Sequence, residues 1–532
     1  SGGGFAASVR SPGRGFMPAD WRGGPTRLRW VKFVAAPVSA RRASFSFPMS
    51  VIPISSRPAT IAIVGGGLSG TLVAANLLRL ARGPVRLVLI ERHPPIGRGV
   101  AYSTRCPDHR LNVPADRMGV WPDEPEHFVR WLERHRGENG VPERIDPGAF
   151  LPRWLYGSYV EQIFAEARAA AAPQVELEVV AGEAVDLEER AEGGGELRLA
   201  DGRTFAADRV VLALGNLPGE YPIPKSLPAY RSSRYVHVPW RGDALEGIGA
   251  DDEVLLIGQG LTATDLIVQL DRRGHRGTIH ALSRRGQRPL VHRPCAPYPA
   301  FLATEPLPTT ARALVRRVRQ EVRTAAAAGI DWRAVVDAVR PQAQAIWQAL
   351  SWEERGRFMR HVRPLWEIHR HRLAPRAAAV IERLTAKGRL KFYAGRLQVL
   401  EANADGAQAL LRRRGTIQHV SLRVAKVINC TGPRTDYSKY QHPLFIHLLA
   451  RSLIDHDPLA LGINALPTGE VLRYRAGPVG WLYTLGPAMK GVLWETTAVP
   501  EIRIQARMLA EKLLAPQAGD GAAFLTAARR AE

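Results

Sequence analysis

An unbroken apolar run from Ile61 to Val64 ends in glycines, and from Leu68 to Ala81 the apolar spacing becomes helical. Such a run reads as a strand buried on both faces, and the change of period marks strand, turn and helix. A second apolar run, Val85 to Ile90, completes the unit. The same order returns at Val254 to Ile257, Thr264 to Arg273 and Thr278 to Leu282. Strands alternating with helices predict an α/β chain with two Rossmann-like units of parallel sheet.

Between and after these units the pattern supplies the remaining plan. Val175 to Val180 and Leu197 to Leu199 read as short strands, with Gly193 to Gly195 as a hairpin turn. Val210 to Leu214 and Val424 to Asn429 are apolar strands that each run into small residues and glycine, so they bracket an inserted second domain. From about 309 to 384 the pattern is helical, divided by Pro341, Pro364 and Pro375, with Asp331 and Ser351 as N-caps. This stretch reads as a helical insertion covering one face of the second domain. Leu390 to Leu400, Ala409 to Arg413 and Ile417 to Arg423 read as antiparallel strands, and Thr496 or Thr497, with Pro500, opens a last helix.

The predicted domains are therefore 57–225 joined to 424–515, and 235–423 inserted between them. Residues 1–56 form a basic extension, and 516–532 a flexible tail. Up to residue 49 the extension holds eight Lys or Arg against one acid, Asp20, and too little apolar surface to offset its ordering entropy. It reads as an extension upstream of Met49, or else as a transit-type peptide.

The corners between strand and helix carry the candidate chemistry. Gly65, Gly67 and Gly70 fit G-x-G-x-x-G, which makes a tight turn, admits a pyrophosphate to backbone N–H groups and lets helix pack on strand. The helix N-terminus adds free donors and partial positive charge. Glu91 ends the second strand, where its carboxylate suits the unphosphorylated ribose of FAD or NAD and repels a 2′-phosphate. At the second corner Gly258, Gly260 and Ala263 fit G-x-G-x-x-A, and Arg284 and Arg285 stand where the first corner has its acid. Guanidinium groups suit a 2′-phosphate, which favours NADPH over NADH.

Composition narrows the reading. With 532 residues the chain exceeds a single core, and 45% hydrophobic content is that of an ordinary globular protein. The formal charge of +23 raises nucleic acid as a partner, but the arginines are scattered and no zinc-finger or RRM-like signature occurs, so none is assigned. Cys106, Cys295 and Cys430 are far apart and form no C-x-x-C, which points to a reducing, cytoplasmic setting and away from a dithiol flavoenzyme. No apolar run is long enough to span a membrane. Glu367, His369 and His371 invite a metal, but histidines two apart on a helix diverge, so packing or substrate contact is the favoured reading.

The motifs GGGLSG (65–70), GRGVAY (97–102), LNVPA (111–115), IGQGLTATD (257–265), SRRG (283–286), PLWEIHRHRLAP (364–375), INCTGP (428–433) and ETTAVPEIR (495–503) carry a resemblance. Over residues 57–515 the chain resembles bacterial FAD/NAD(P)-binding oxidoreductases of the urate hydroxylase-like kind, and more distantly flavin N-hydroxylating and Baeyer–Villiger monooxygenases. The resemblance implies a three-layer ββα fold and FAD at Gly65, Gly67, Gly70 and Glu91. It also implies flavin-ring contacts from the Arg98 to Tyr102 loop and from Asn112, and a nicotinamide cofactor at Gly258, Gly260 and Ala263. Gly432 and Thr497 complete the cofactor candidates, and Asn112 is the candidate hydrogen-bond donor beside the ring. The implied activity is hydride transfer from NAD(P)H to flavin and hydroxylation of a small polar molecule with O₂. The alternatives are a flavoprotein reductase without oxygen insertion and a non-catalytic flavin-binding protein.

Overall fold

The computed structural model describes residues 57–515 apart from 226, 241, 304, 305, 474 and 475. The basic extension and the C-terminal tail of the sequence reading lie outside the described residues. The first domain is built on a six-stranded sheet in the order Glu470–Arg473, Gly477–Thr484, Arg209–Leu212, Ala59–Val64, Val85–Glu91 and Val175–Ala181. All its neighbours are parallel except the first pair. Ile61 and Ile63 face the helices Leu68–Leu80, Arg153–Ala169 and Val499–Leu514, whereas Ala62 and Val64 face the opposite layer. Strand side chains alternate in direction, so a layer on each face explains why the run is apolar without a break.

That opposite layer holds the antiparallel sheet Ala184–Glu189, Gly195–Leu199 and Thr204–Ala207. Here the turn at Gly193 and Gly194 joins Gly195–Leu199 to Ala184–Glu189, not to the strand at 175–181. The sequence reading missed Ala184–Glu189 because its AVDLEE pattern mixes polar and apolar residues. Asp186 sits inside and is neutralised by Arg198 and Arg451.

The second domain carries a seven-stranded sheet in the order His419–Val424, Gly406–Arg413, Leu390–Asn403, Ile279–Ser283, Val254–Ile257, Lys426–Asn429 and Tyr235–Val236. Leu390–Asn403 runs parallel to Ile279–Ser283 in its first half and antiparallel to Gly406–Arg413 in its second, so one long strand joins two layers. The predicted boundary at 424 needs correction: Lys426–Asn429 pairs with Val254–Ile257 and belongs to the second sheet. Both sheets contain a strand that ends in small residues, and pattern alone cannot say which sheet owns it. The chain returns to the first domain after Cys430, beside the outgoing linker, where Arg434 N–H donates to the Leu217 carbonyl at 3.3 Å.

The helical insertion forms where the pattern placed it. Asp331 accepts from Arg333 N–H and Ser351 from Glu354 N–H as N-caps, and Pro341, Pro364 and Pro375 each fall in the first turn of a new segment. Its packing differs from the expectation. Trp347, Leu350 and Phe358 bury against Leu461 and Trp494 of the first domain, so the insertion bridges the domains instead of only covering the second. Among the described residues no helix is long and apolar enough to cross a membrane.

Candidate functional site

At the first corner the glycines serve contact as much as conformation. A Cβ on Gly70 would lie 1.9 Å from the Gly65 carbonyl oxygen, so helix and strand meet only without one. Gly67 is the N-cap of Leu68–Leu80 and has no side chain to occupy its donors. Glu91 Oε2 accepts Gly66 N–H at 2.6 Å, and Oε1 accepts His93 N–H at 2.8 Å. The carboxylate thus fixes the corner and keeps lone pairs for a ribose hydroxyl.

The 97–102 loop lies over this corner: Gly97 N–H donates to the Gly66 carbonyl at 2.8 Å, and a Cβ on Gly67 would sit 3.4 Å from Gly99 Cα. Arg98 turns into its own domain, where Nε and Nη2 meet the two oxygens of Glu161 at 2.8 and 2.6 Å. Such a bidentate pair sets the loop on the helix Arg153–Ala169. The ring of Tyr102 stands 4.8 Å from that of Tyr156, and burial pushes its hydroxyl up to about 12. From the C-terminal side Gly486 reaches Ser69, and Thr496 is buried and donates to the Gly486 carbonyl at 2.9 Å. Thr497 remains exposed one residue before Ala498, the N-cap of Val499–Leu514.

The second corner repeats the geometry with other parts. Gly258 has φ +135°, and a Cβ there would sit 2.0 Å from the Cys430 carbonyl oxygen. Gly260 caps Leu261–Arg272, and Ala263 is buried beneath that helix. Gln259 donates from Nε2 to the carbonyls of Ala281 and Tyr393 at 2.7 and 3.0 Å, and its Oε1 accepts from Ser283 Oγ at 3.0 Å. Arg284 and Arg285 diverge. Arg285 donates to the Arg360 carbonyl of the insertion at 2.7 Å, whereas Arg284 lines an open basin of about 530 Å³ with Arg396, Arg412, Arg413 and Arg414. Burial and the neighbouring Arg363 and Arg396 lower the Arg284 pKa from its usual value.

A cavity of about 150 Å³ is lined by Asp108, Arg110 and Asn112 of the first domain and by Leu261 and Thr264 from the first turn of the second dinucleotide helix. Arg153 Nη2 lies 2.9 Å from Asp265 Oδ2 across this junction. Desolvation pushes Asp265 up to about 6, opposed by Arg153. Gly432, by contrast, lies in the paired linkers beside Gly219. Cys430 is buried, and burial pushes its thiol well up, so it packs and does not react.

The sequence reading missed a second polar cluster, between the insertion and residues 490–495. Glu495 Oε1 accepts from Trp366 Nε1 at 2.8 Å, Arg370 Nη2 lies 3.4 Å from Oε2, and Glu367 lies between Lys490 at 3.8 Å and His371 at 3.4 Å. His369 points elsewhere, with its ring edge-on to Trp332. The four-residue spacing of Glu367 and His371 was the available signal, but nothing in the sequence located the lysine.

Residues 62–217 match the family model described as FAD-NAD(P)-binding, and this part of the chain is a domain of that kind. A nitrosuccinic acid synthase of Aspergillus oryzae is 29% identical over 191 residues, 33% of this chain and 28% of that enzyme's length. Among solved structures, an ornithine hydroxylase of Pseudomonas aeruginosa aligns with TM-score 0.59 at 16% identity, over 86% of this chain and 99% of that one. A cadaverine monooxygenase of Erwinia amylovora bound to FAD aligns with TM-score 0.58 at 14% identity, over 87% and 96%. An L-lysine 6-monooxygenase of Pseudomonas syringae aligns with TM-score 0.55 at 16% identity, over 86% and 99%. These likenesses give the fold: two Rossmann-like domains, one inserted in the other.

Proposed function

We propose that the chain is an FAD-dependent, NADPH-oxidising monooxygenase acting on a small amine. The observation that carries this reading is the pair of glycine corners, one tipped by Glu91 and the other by Arg284, with a cavity between residues 108–112 of the first domain and the first turn of the second corner's helix. FAD fits the first: the helix N-terminus offers N–H groups with no side-chain cap, the Gly67 and Gly99 backbones carry no Cβ toward the corner, and Glu91 has lone pairs for a ribose. NADPH fits the second, where Gly260 and Leu261 begin the helix and Arg284 faces the basin.

Bound flavin would supply hydride acceptance from the nicotinamide and delivery of the electrons to O₂. The chain's own residues orient and shield. Gly65, Gly67, Gly70 and Glu91 would hold the adenine-nucleotide half of FAD, and Thr497, ahead of the last helix, would offer a hydroxyl at a positive helix end. Asn112, which lines the cavity, would be the donor beside the flavin. The Arg153–Asp265 pair pins the second helix to the first domain and excludes water from their contact. The choice of an amine follows from the ornithine, lysine and cadaverine enzymes whose fold the chain shares.

Anaerobic mixing with NADPH, followed by air and L-ornithine, L-lysine or cadaverine, tests this reading. Bleaching of the flavin and then a hydroxylamine product support it. Bleaching followed by reoxidation with no organic product for any amine overturns it.

A further inference from the structure

The polar cluster between the helical insertion and residues 490–495 is a built recess. Lys490 directly follows the turn Gly486–Met489, where a Cβ on Gly486 would lie 2.7 Å from Ser69 Oγ of the first corner. Glu495 is aimed by an unusual backbone. Trp494 has φ +61° and ψ −68°, and Glu495 N–H donates to the Leu493 carbonyl at 2.7 Å. This is the positive-φ γ-turn, rare and strained in a bulky residue. Strain of this kind persists only where the surroundings hold it, and it gathers at functional sites. Here the Trp494 ring stacks 4.9 Å from Trp347 and lies edge-on to Phe358 at 5.1 Å.

His371 follows the helix Arg363–Arg370 directly. Its Nε2 lies 3.4 Å from Glu367 Oε2, while Nδ1 has no partner among the described residues. Protein encloses both groups, yet their side chains remain 30% and 31% exposed, which describes a recess instead of core or open surface. The charged groups facing His371 are Glu367, Arg370, Glu495 and Lys490. Burial, with Arg370 and Lys490, outweighs the two carboxylates and lowers the imidazole from its usual value, so the ring is neutral at pH 7. Burial alone would raise Glu367, but Lys490 and Arg363 hold it below the usual carboxylate range. An imidazole with one nitrogen unpartnered and a carboxylate 3.4 Å from the other can serve as a general base.

We propose that this recess receives the amine of the substrate and that His371 Nδ1 removes the proton from its ammonium form. The proposal rests on the amine-hydroxylating reading above. An ammonium has no lone pair and cannot be oxidised at nitrogen, so the proton must leave first. One N–H bond of the ammonium breaks, its electron pair stays on nitrogen, and one N–H bond forms on the imidazole. The positive charge moves onto the ring, where Glu367 opposes it. Glu495, held by Trp366 and paired with Arg370, balances the guanidinium that would otherwise repel the ammonium.

Histidine-selective ¹⁵N NMR on the full-length holoprotein tests the assignment, with His371→Gln identifying the resonance. At pH 7 the ring is expected as the neutral Nε2–H tautomer. Its signal should move on addition of cadaverine, L-ornithine or L-lysine, and its pKa should fall in Glu367→Gln. An Nδ1–H tautomer, no response to any of the three amines, or a pKa indifferent to Glu367→Gln overturns the proposal. In turnover, His371→Gln should lower kcat/KM at pH 7 about 100-fold and abolish its acid limb, with the rate of flavin reduction by NADPH unchanged. An acid limb retained in His371→Gln overturns it too. Failure of NADPH to reduce the wild-type flavin defeats the parent reading instead, and the NMR result still decides the recess.

Discussion

The two glycine corners solve one problem with opposite devices. In the first, the residue that ends the second strand reaches back: the Glu91 carboxylate accepts Gly66 N–H and so becomes part of the turn. In the second, the turn reaches forward: the Gln259 amide bonds Ser283 and the carbonyls of Ala281 and Tyr393, and Arg284 beyond Ser283 faces the basin. The first device places a negative charge at the ribose end. The second leaves Arg284 free to face an anion. A shared strand, turn and helix therefore carries opposite charge at the end of its second strand in the two domains, Glu91 in one and Arg284 in the other.

The sharpest way to break the comparison is to fill each corner in turn. Gly70→Val would drive a side chain into the Gly65 carbonyl, and the protein is expected to be purified without flavin. Gly258→Val would meet the Cys430 carbonyl in the same way, but should leave a yellow protein that NADPH does not reduce. Visible spectra before and after anaerobic NADPH separate the two, and identical behaviour would show that the corners are not distinct sites.

Smaller effects sharpen the contrast. Arg284→Ala removes a charge-assisted contact worth about 1.5–3 kcal/mol, so KM for NADPH should rise roughly ten- to a hundredfold while KM for NADH hardly changes. Glu91→Gln keeps one acceptor but loses the charge and one backbone partner, and FAD affinity measured by fluorescence should fall about tenfold. Last comes the junction. Asp265 has a folded pKa near 6, above its ordinary value of 3.8, so the native state binds the extra proton. Its contribution to stability is present below about pH 4 and is lost as pH rises through 6. Thermal denaturation of Asp265→Asn should lose that decline between pH 4 and 6.

Much of this was legible in the chain. Apolar runs with glycine at their ends marked both corners, since a strand covered on both faces leaves no polar position to confuse the pattern. N-caps and prolines marked the insertion for a similarly local reason. What escaped depended on partners distant in sequence. Lys426–Asn429 looks like a first-domain strand until its neighbour Val254–Ile257 is known. Arg98 looks free for a ligand until Glu161 claims it. Lys490 and Glu367 lie 3.8 Å apart but far from each other in sequence, and no periodicity records such a meeting. The γ-turn at Trp494 is invisible for another reason: tryptophan avoids positive φ, so only tertiary packing holds it there.

The measurement that bears most directly on the account is anaerobic stopped-flow reduction of the purified holoprotein with NADPH and with NADH. A flavin bleached by both, and much faster by NADPH at low nucleotide concentration, is the predicted result. A colourless protein that takes up no added FAD, or a bound flavin that neither nucleotide reduces, would contradict it.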